Sequence, residues 1–283
     1  MTTNIYKTLR HTAVVLFLTA FLALLSLAQN TRVRVLNPPG SIYTAPSGLN
    51  NQGITVGAFE FSGQNLEGFL YHPANNEYTS IQYPGAESTE ALGVNDSGTV
   101  VGAFANQDGQ NHGFFLESGA YRQYDVPGFS GTTIVGINQA GDFAGTIGSN
   151  GFYQGYVSIG GVVTAFTVDG GATNAYGINS SNVSVGFFVN SSGTAFHGFM
   201  RDNSGNITQI DYPGSLSSAC TGINDAGVIT GFYEDSNGDH GFVLINGKFQ
   251  KLAAPYVAAI NNHNVIVGSV TGKTNTYGFI AAR

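Results

Sequence analysis

Six copies of one unit occupy almost all of the 283-residue chain, and a repeat of this length leaves few architectures open. Gly-Val-Asn-Asp-Ser-Gly-Thr-Val-Val-Gly-Ala-Phe at 93–104 matches Gly-Ile-Asn-Asp-Ala-Gly-Val-Ile-Thr-Gly-Phe-Tyr at 222–233. The asparagine recurs as Asn50, Asn95, Asn138, Asn179, Asn224 and Asn261, and a glycine seven residues on recurs as Gly57, Gly102, Gly145, Gly186, Gly231 and Gly268. A Gly-aromatic pair follows at Gly68-Phe69, Gly113-Phe114, Gly155-Tyr156, Gly198-Phe199, Gly241-Phe242 and Gly278-Phe279. Successive pair glycines are 45, 42, 43, 43 and 37 residues apart, the length of a four-stranded propeller blade.

Four strands fit inside each unit. The first ends at the repeated asparagine, and a turn such as Gln139-Ala140-Gly141 leads into the second. A polar loop reaches the third at the Gly-aromatic pair, and a tight turn such as Ser118-Gly119 or Asn246-Gly247 leads into the fourth. Units then close on Pro84-Gly85, Pro127-Gly128, Gly170-Gly171, Pro213-Gly214 and the degenerate Pro255-Tyr256. With 40 Gly, 20 Phe, 14 Tyr and only 10% charged residues, the composition is that of an all-β protein.

The chain ends complement each other. The sixth unit stops after its third strand, whereas Arg32-Val33-Arg34-Val35-Leu36-Asn37-Pro38-Pro39-Gly40 is a fourth strand with nothing in front of it. Pairing that strand with Gly278 to Ala282 would complete the last blade and close a six-bladed β-propeller over residues 29–283, with no free sheet edge. An open solenoid is the competing architecture, but its end units should carry polar caps, which are missing here. A membrane β-barrel needs strands of about 9–11 residues, longer than these runs.

His112-Gly113-Phe114, His197-Gly198-Phe199 and His240-Gly241-Phe242, following Gly-Ile-Asn and Val-Gly elements, resemble bacterial extracellular repeats named for a His-Ala-Phe triplet, the HAF repeats. The resemblance covers nearly the whole mature chain. It implies export and a repeat-built β-fold, and carries no activity with it. Two departures stand out: the middle residue is Gly, and Glu67, Gln154 and Tyr277 replace the histidine in the other units.

Residues 1–28 have the form of a signal peptide: Lys7 and Arg10, an apolar run from Ala13 to Leu27, and Ser26-Leu27-Ala28 as the cleavage site. A soluble, monomeric exported protein is expected after cleavage behind Ala28, free of the membrane. Its 17 acidic against 8 basic residues give a net charge of −9 and no basic cluster, which argues against nucleic acid as a partner. Cys220 is the only cysteine, so no intrachain disulfide contributes, and its apolar neighbours predict a buried, inert thiol.

A residue present once per unit is first a structural residue, and Asn95, Asn138 and Asn224 are read that way. So are the histidines. The Ser118-Gly119 turn sets His112 opposite Asp125, and a turn centred on Ser204 sets His197 opposite Asp211. Each pair is expected to clamp its hairpin for a few tenths to about 1 kcal/mol. His240 faces Ala253 in this register and lacks a carboxylate. Asp235-Ser236-Asn237-Gly238-Asp239 has the spacing of calcium ligands without the sixth-position Gly or distal Glu, and reads as a polar hairpin. No metal, cofactor or catalytic constellation is expected.

A ligand site is expected where loops surround the central opening of a propeller. Those loops carry Glu87, Glu90, Asp108, Tyr153, Glu234, Asp235, Asp239 and Lys273. The function expected is non-enzymatic binding of an extracellular glycan, cell-wall polymer or protein. The alternative is a propeller-type hydrolase, lyase or lactonase working through paired carboxylates such as Glu87/Glu90 or Glu234/Asp235, with or without a divalent metal.

Overall fold

A computed structural model describes residues 32–107, 109–149 and 151–282; the expected signal peptide at 1–28 and Asp108 lie outside the described residues. The described chain is all β. After β1 (Arg32–Leu36) come β2 (Tyr43–Leu49), β3 (Thr55–Glu60), β4 (Glu67–His72) and β5 (Glu77–Ile81). Four separate antiparallel sheets follow in chain order. The first comprises β6 (Ser88–Val94), β7 (Val100–Ala105), β8 (Asn111–Glu117) and β9 (Ala120–Tyr124). The second comprises β10 (Gly131–Ile137), β11 (Phe143–Ser149), β12 (Phe152–Ile159) and β13 (Val162–Phe166). The third comprises β14 (Thr173–Ile178), β15 (Ser184–Val189), β16 (Phe196–Arg201) and β17 (Ile207–Ile210). The fourth comprises β18 (Ser217–Ile223), β19 (Ile229–Asp235), β20 (Gly238–Ile245) and β21 (Lys248–Lys251).

The chain ends with β22 (Tyr256–Ile260), β23 (Val265–Thr271) and β24 (Thr276–Ala282). The fourth strand of this group is β1, antiparallel to β24 with Val33 opposite Ala281, Arg34 opposite Ile280 and Val35 opposite Phe279. One parallel contact, Tyr43 opposite Thr276, joins this group to β2–β5.

Each repeated glycine lies across the ladder from the aromatic of its own unit: Gly102 opposite Phe114, Gly186 opposite Phe199, Gly231 opposite Phe242. The ring lies against the bare glycine backbone. These aromatics, with Phe69 and Tyr156, are fully buried among clusters that join neighbouring sheets. Tyr156 is the one tyrosine in the series, and its hydroxyl is buried without a hydrogen-bond partner among the described residues. Such a group costs about 1–3 kcal/mol. Tyr156→Phe is therefore expected to raise the melting temperature by a few degrees, measured by calorimetry; a fall would mean that the hydroxyl is satisfied.

The six asparagines do two things at once. Each side-chain oxygen closes the turn after its strand; Asn179 Oδ1, for example, accepts the Ser181 and Val183 N–H groups at 3.0 Å each. Each Nδ2 donates to the carbonyl of the next asparagine. The donations run Asn50 to Asn95, Asn95 to Asn138, Asn138 to Asn179, Asn179 to Asn224, Asn224 to Asn261, and Asn261 back to Asn50 at 2.9 Å. The hydrogen-bond ring is closed. An outer ring partly repeats it, with the backbone N–H groups of Asn51, Asp96, Ser180, Asp225 and Asn262 each donating to a side-chain oxygen of the neighbouring group. Asn179→Ala removes the partner of three backbone groups, one of them the buried Asn224 carbonyl, so about 1–3 kcal/mol of stability should be lost. Chemical denaturation measures it, and an unchanged midpoint would contradict this role.

The first strand of every group carries a bulge at the same place, between Pro46/Gly48, Ala91/Gly93, Ile134/Gly136, Ala175/Gly177, Cys220/Gly222 and Val257/Ala259. The bulged residues Ser47, Leu92, Val135, Tyr176, Thr221 and Ala258 all line one opening. Glycine just after the bulge lets adjacent first strands approach closely: a methyl group on Gly136 would lie 2.4 Å from the Tyr176 carbonyl oxygen.

Candidate functional site

All six first strands contribute to a single opening of about 540 Å³. At one end lies the asparagine ring. Toward the other, where the strands begin, Tyr43, Glu90, Tyr176 and Tyr256 are on the wall. Glu90 is the one charged side chain among the described residues that line it. Glu90 is exposed to the opening, yet the protein wall around it displaces enough water to raise its pKa above the ordinary glutamate value. Burial also raises the pKa of Tyr43, Tyr176 and Tyr256; the charge of Glu90 adds to the first two. All three tyrosines therefore keep their protons at neutral pH and can donate hydrogen bonds into the opening.

A raised carboxyl pKa means that the folded protein holds a proton over a pH range in which the unfolded chain has lost it. Glu90 therefore takes stability away as pH rises from the ordinary glutamate value through the raised one. Glu90→Gln should melt above the parent protein at neutral pH, and the difference should vanish in acid below the ordinary glutamate pKa. Thermal scans across pH test this; a difference independent of pH would contradict it.

A side groove of about 320 Å³ leaves the opening at Glu90 and runs past Thr133, Thr146 and Asn174 to Tyr153. Tyr153 also walls a further recess of about 410 Å³ with Gln110, Asn111 and Ser130. The side groove shares Glu90, Leu92, Val135 and Tyr176 with the opening and Asn111, Thr133, Thr146 and Tyr153 with the recess. The three spaces therefore adjoin as a trough from the centre outward, lined by the β6–β9 and β10–β13 sheets and by Asn174 and Tyr176 of β14.

Of the residues singled out from sequence, Glu90 and Tyr153 are thus brought together in one trough. Glu90 stands in β6 and Tyr153 in β12, not in loops, because the strands extend further toward this face than the turn residues suggested. Glu87 is exposed just before β6, where its N–H donates to the Ala105 carbonyl. Glu234, Asp235 and Asp239 also fall in strands, joined by only Ser236 and Asn237, with Glu234 directly opposite Asp239. Neither they nor Lys273 line the opening.

The hairpin registers follow the turns, with Gly113 opposite Tyr124 and Gly198 opposite Ile210. His112 Nδ1 lies 3.0 Å from Asp125 Oδ1 and His197 Nδ1 lies 2.8 Å from Asp211 Oδ2. Gln123 and Gln209 each donate to the same carboxylates at 2.6 Å. The expectation for His240 requires correction: its Nε2 lies 3.0 Å from Asp235 Oδ1. The short β19–β20 turn brings that carboxylate within reach from the neighbouring strand, a route that the β20–β21 register does not reveal. Asp235 also accepts the Asn237 N–H at 2.7 Å, the main cause of its lowered pKa. That oxygen is already taken up within the hairpin. Cys220 is fully buried, and burial pushes its thiol pKa far up.

Tyr43, Tyr176 and Tyr256 were not legible as site residues. Aligning the units on the asparagine would have pointed to Tyr256, which like Glu90 stands five positions before it; Tyr176 occupies the bulge, and Tyr43, seven positions before Asn50, carries no such signal. No family model and no curated protein matches the sequence. Solved structures do. The β-propeller domain of the trilobed protease from Pyrococcus furiosus, described as having an open velcro topology, is 12% identical with a TM-score of 0.54, over 84% of this chain and 81% of that one. The chain has the β-propeller fold. A luciferin-regenerating enzyme is likewise similar (12% identity, TM-score 0.55, 89% of this chain and 95% of that one). So is the Aleuria aurantia lectin, solved with Fucα1-6GlcNAc (12%, 0.53, 86% and 93%). At these identities the propellers share a fold with this chain, and no residue role passes between them.

Proposed function

We propose that the mature chain is an exported, closed six-bladed propeller that binds a segment of an extracellular polysaccharide in its trough. Closure is supported by the pairing of β1 with β24 and by the return of the asparagine ring from Asn261 to Asn50. Export rests on the pattern of residues 1–28 and on the likeness to HAF repeats. N-terminal sequencing of the secreted protein, with Gln29 expected first, tests it.

The binding reading rests on one observation: an opening walled by three tyrosines and one carboxylate continues into a polar trough that ends at the half-exposed ring of Tyr153. Aromatic faces with a few convergent hydroxyl, amide and carboxyl groups suit a polyhydroxylated chain. Hydrolysis by acid–base catalysis needs a second group positioned beside the first. The described wall offers Glu90 hydroxyls as neighbours but no second carboxylate. Retention on insoluble polysaccharides, including cellulose, chitin and bacterial cell wall, tests the reading. The protein should be retained by at least one, and Tyr176→Ala combined with Tyr153→Ala should release it. Release of soluble sugar, or retention indifferent to both tyrosines, would overturn the proposal.

A further inference from the structure

The carboxylate of Glu90 is the unusual group in this site. Glu90 is exposed to the opening, and among the described residues no side chain or backbone group is bonded or ion-paired to its carboxylate. The carboxylates of Asp125, Asp211 and Asp235 are each engaged by histidine, and those of Asp96 and Asp225 by backbone or amide N–H groups. Glu90 alone among these acids faces a cavity wall shared with three tyrosine rings. Among the described residues no lysine, arginine or histidine lines the opening, and the mature chain carries a net charge of −9.

We propose that the group received at Glu90 is a ligand ammonium, so that the polymer bound in the trough is an amino-sugar chain with free amines. This rests on the polysaccharide reading above and names the class of sugar. An ammonium supplies the charge that the carboxylate lacks, and tyrosine faces attract a cation further. An acidic polymer would meet an uncompensated like charge. A neutral sugar would offer only hydroxyl donors and no countercharge for the carboxylate. The loss of water that raises the Glu90 pKa fits the same picture, because a bound cation would pull it back down. The remaining trough residues, Thr133, Thr146, Asn174 and Asn111, provide hydroxyl and amide groups suited to a sugar chain.

Three tetrasaccharides with one β-1,4 backbone separate the possibilities: tetraglucosamine, its fully acetylated form and cellotetraose. They differ at the second carbon of each ring, which carries an ammonium, an acetamide or a hydroxyl. Calorimetric titration of the whole mature protein in mildly acidic buffer should find tetraglucosamine bound at least about tenfold more tightly than the other two. Added salt should weaken that preference, and Glu90→Gln, which keeps the side-chain shape and should fold, should abolish it. Equal affinity for all three overturns the ammonium while leaving the polysaccharide reading standing. A preference that survives Glu90→Gln overturns the assignment to Glu90. Tetralysine bound as tightly as tetraglucosamine overturns the amino sugar in favour of a basic peptide. Failure of all three sugars, alongside failure on the insoluble polymers, takes the polysaccharide reading down as well.

Discussion

A chain that starts at Pro38, lacking β1, should be far less stable than one that starts at Gln29. The strand contributes more than its length suggests. Leu36 is fully buried, in a cluster with Phe59, Phe69 and Tyr71 that ties the last group of strands to the first. Exposing it costs about 1.5–3 kcal/mol. Arg34 also bonds the Tyr71 hydroxyl, and the Asn37 N–H donates to the Tyr78 hydroxyl at 3.0 Å. The five-residue ladder with β24 is lost too, each bond worth about 0.5–1.5 kcal/mol net. The total, about 5 kcal/mol or more, rivals the whole stability of many domains, about 5–15 kcal/mol. A fall in melting temperature of at least about 10 °C is expected, with association through the bare edge of β24. A synthetic peptide covering residues 30–40, added in trans, should restore the melting temperature and suppress that association. A truncated chain that melts like the parent would show that β1 is dispensable.

Gly186→Ala should be nearly as damaging. Alanine in a strand normally improves on glycine by about 0.5–1 kcal/mol, because the unfolded chain loses freedom. At Gly186 the sign reverses: a methyl group would lie 1.9 Å from the Asn174 carbonyl oxygen and 2.9 Å from the ring of Phe199. The first neighbour is backbone, so the strands themselves must part, at about 3 kcal/mol or more. Gly131 provides the control, since a methyl group there meets nothing closer than 3.9 Å. Gly131→Ala should be neutral or slightly stabilising in the same denaturation series. Similar losses at both positions would mean that the aromatic-on-glycine contact is not what the repeated glycine is for.

These two cases show why some of the molecule could be read from the chain and some could not. Repetition exposes whatever each unit needs for itself, so the glycine, its aromatic partner and the terminal asparagine stood out. The unmatched strand at Arg32–Leu36 did too, because five complete units make an absence in the sixth visible. Contacts between units are different. That Asn138 donates to Asn179 requires knowing which strands lie side by side, and the sequence names only the residue. The site is harder still, because its residues occupy positions where the units disagree: Ser47, Leu92, Val135, Tyr176, Thr221 and Ala258 share one place in the repeat. Glu90 was found as an acid near a turn, whereas Tyr256 was read only as a degraded Pro-Gly. The missed partner of His240 has a local cause, since a two-residue turn fixes Asp235 beside it from a strand that the fourth-strand register does not include.

The claim on which the opening, the trough and the ligand all depend is that the N-terminal strand closes the ring by lying against the last one. Arg32 and Ala282 are direct partners in that ladder, at a separation that a disulfide spans, and both are exposed. In the variant Arg32→Cys with Ala282→Cys, mild oxidation should join the two within one molecule, since buried Cys220 cannot compete. The product should run faster on a non-reducing gel. It should also melt well above the reduced form, because a loop this long gains about 4.7 kcal/mol or more in the chain-entropy picture. Thiols that stay free under oxidation, or that pair only between molecules, would contradict the closed ring.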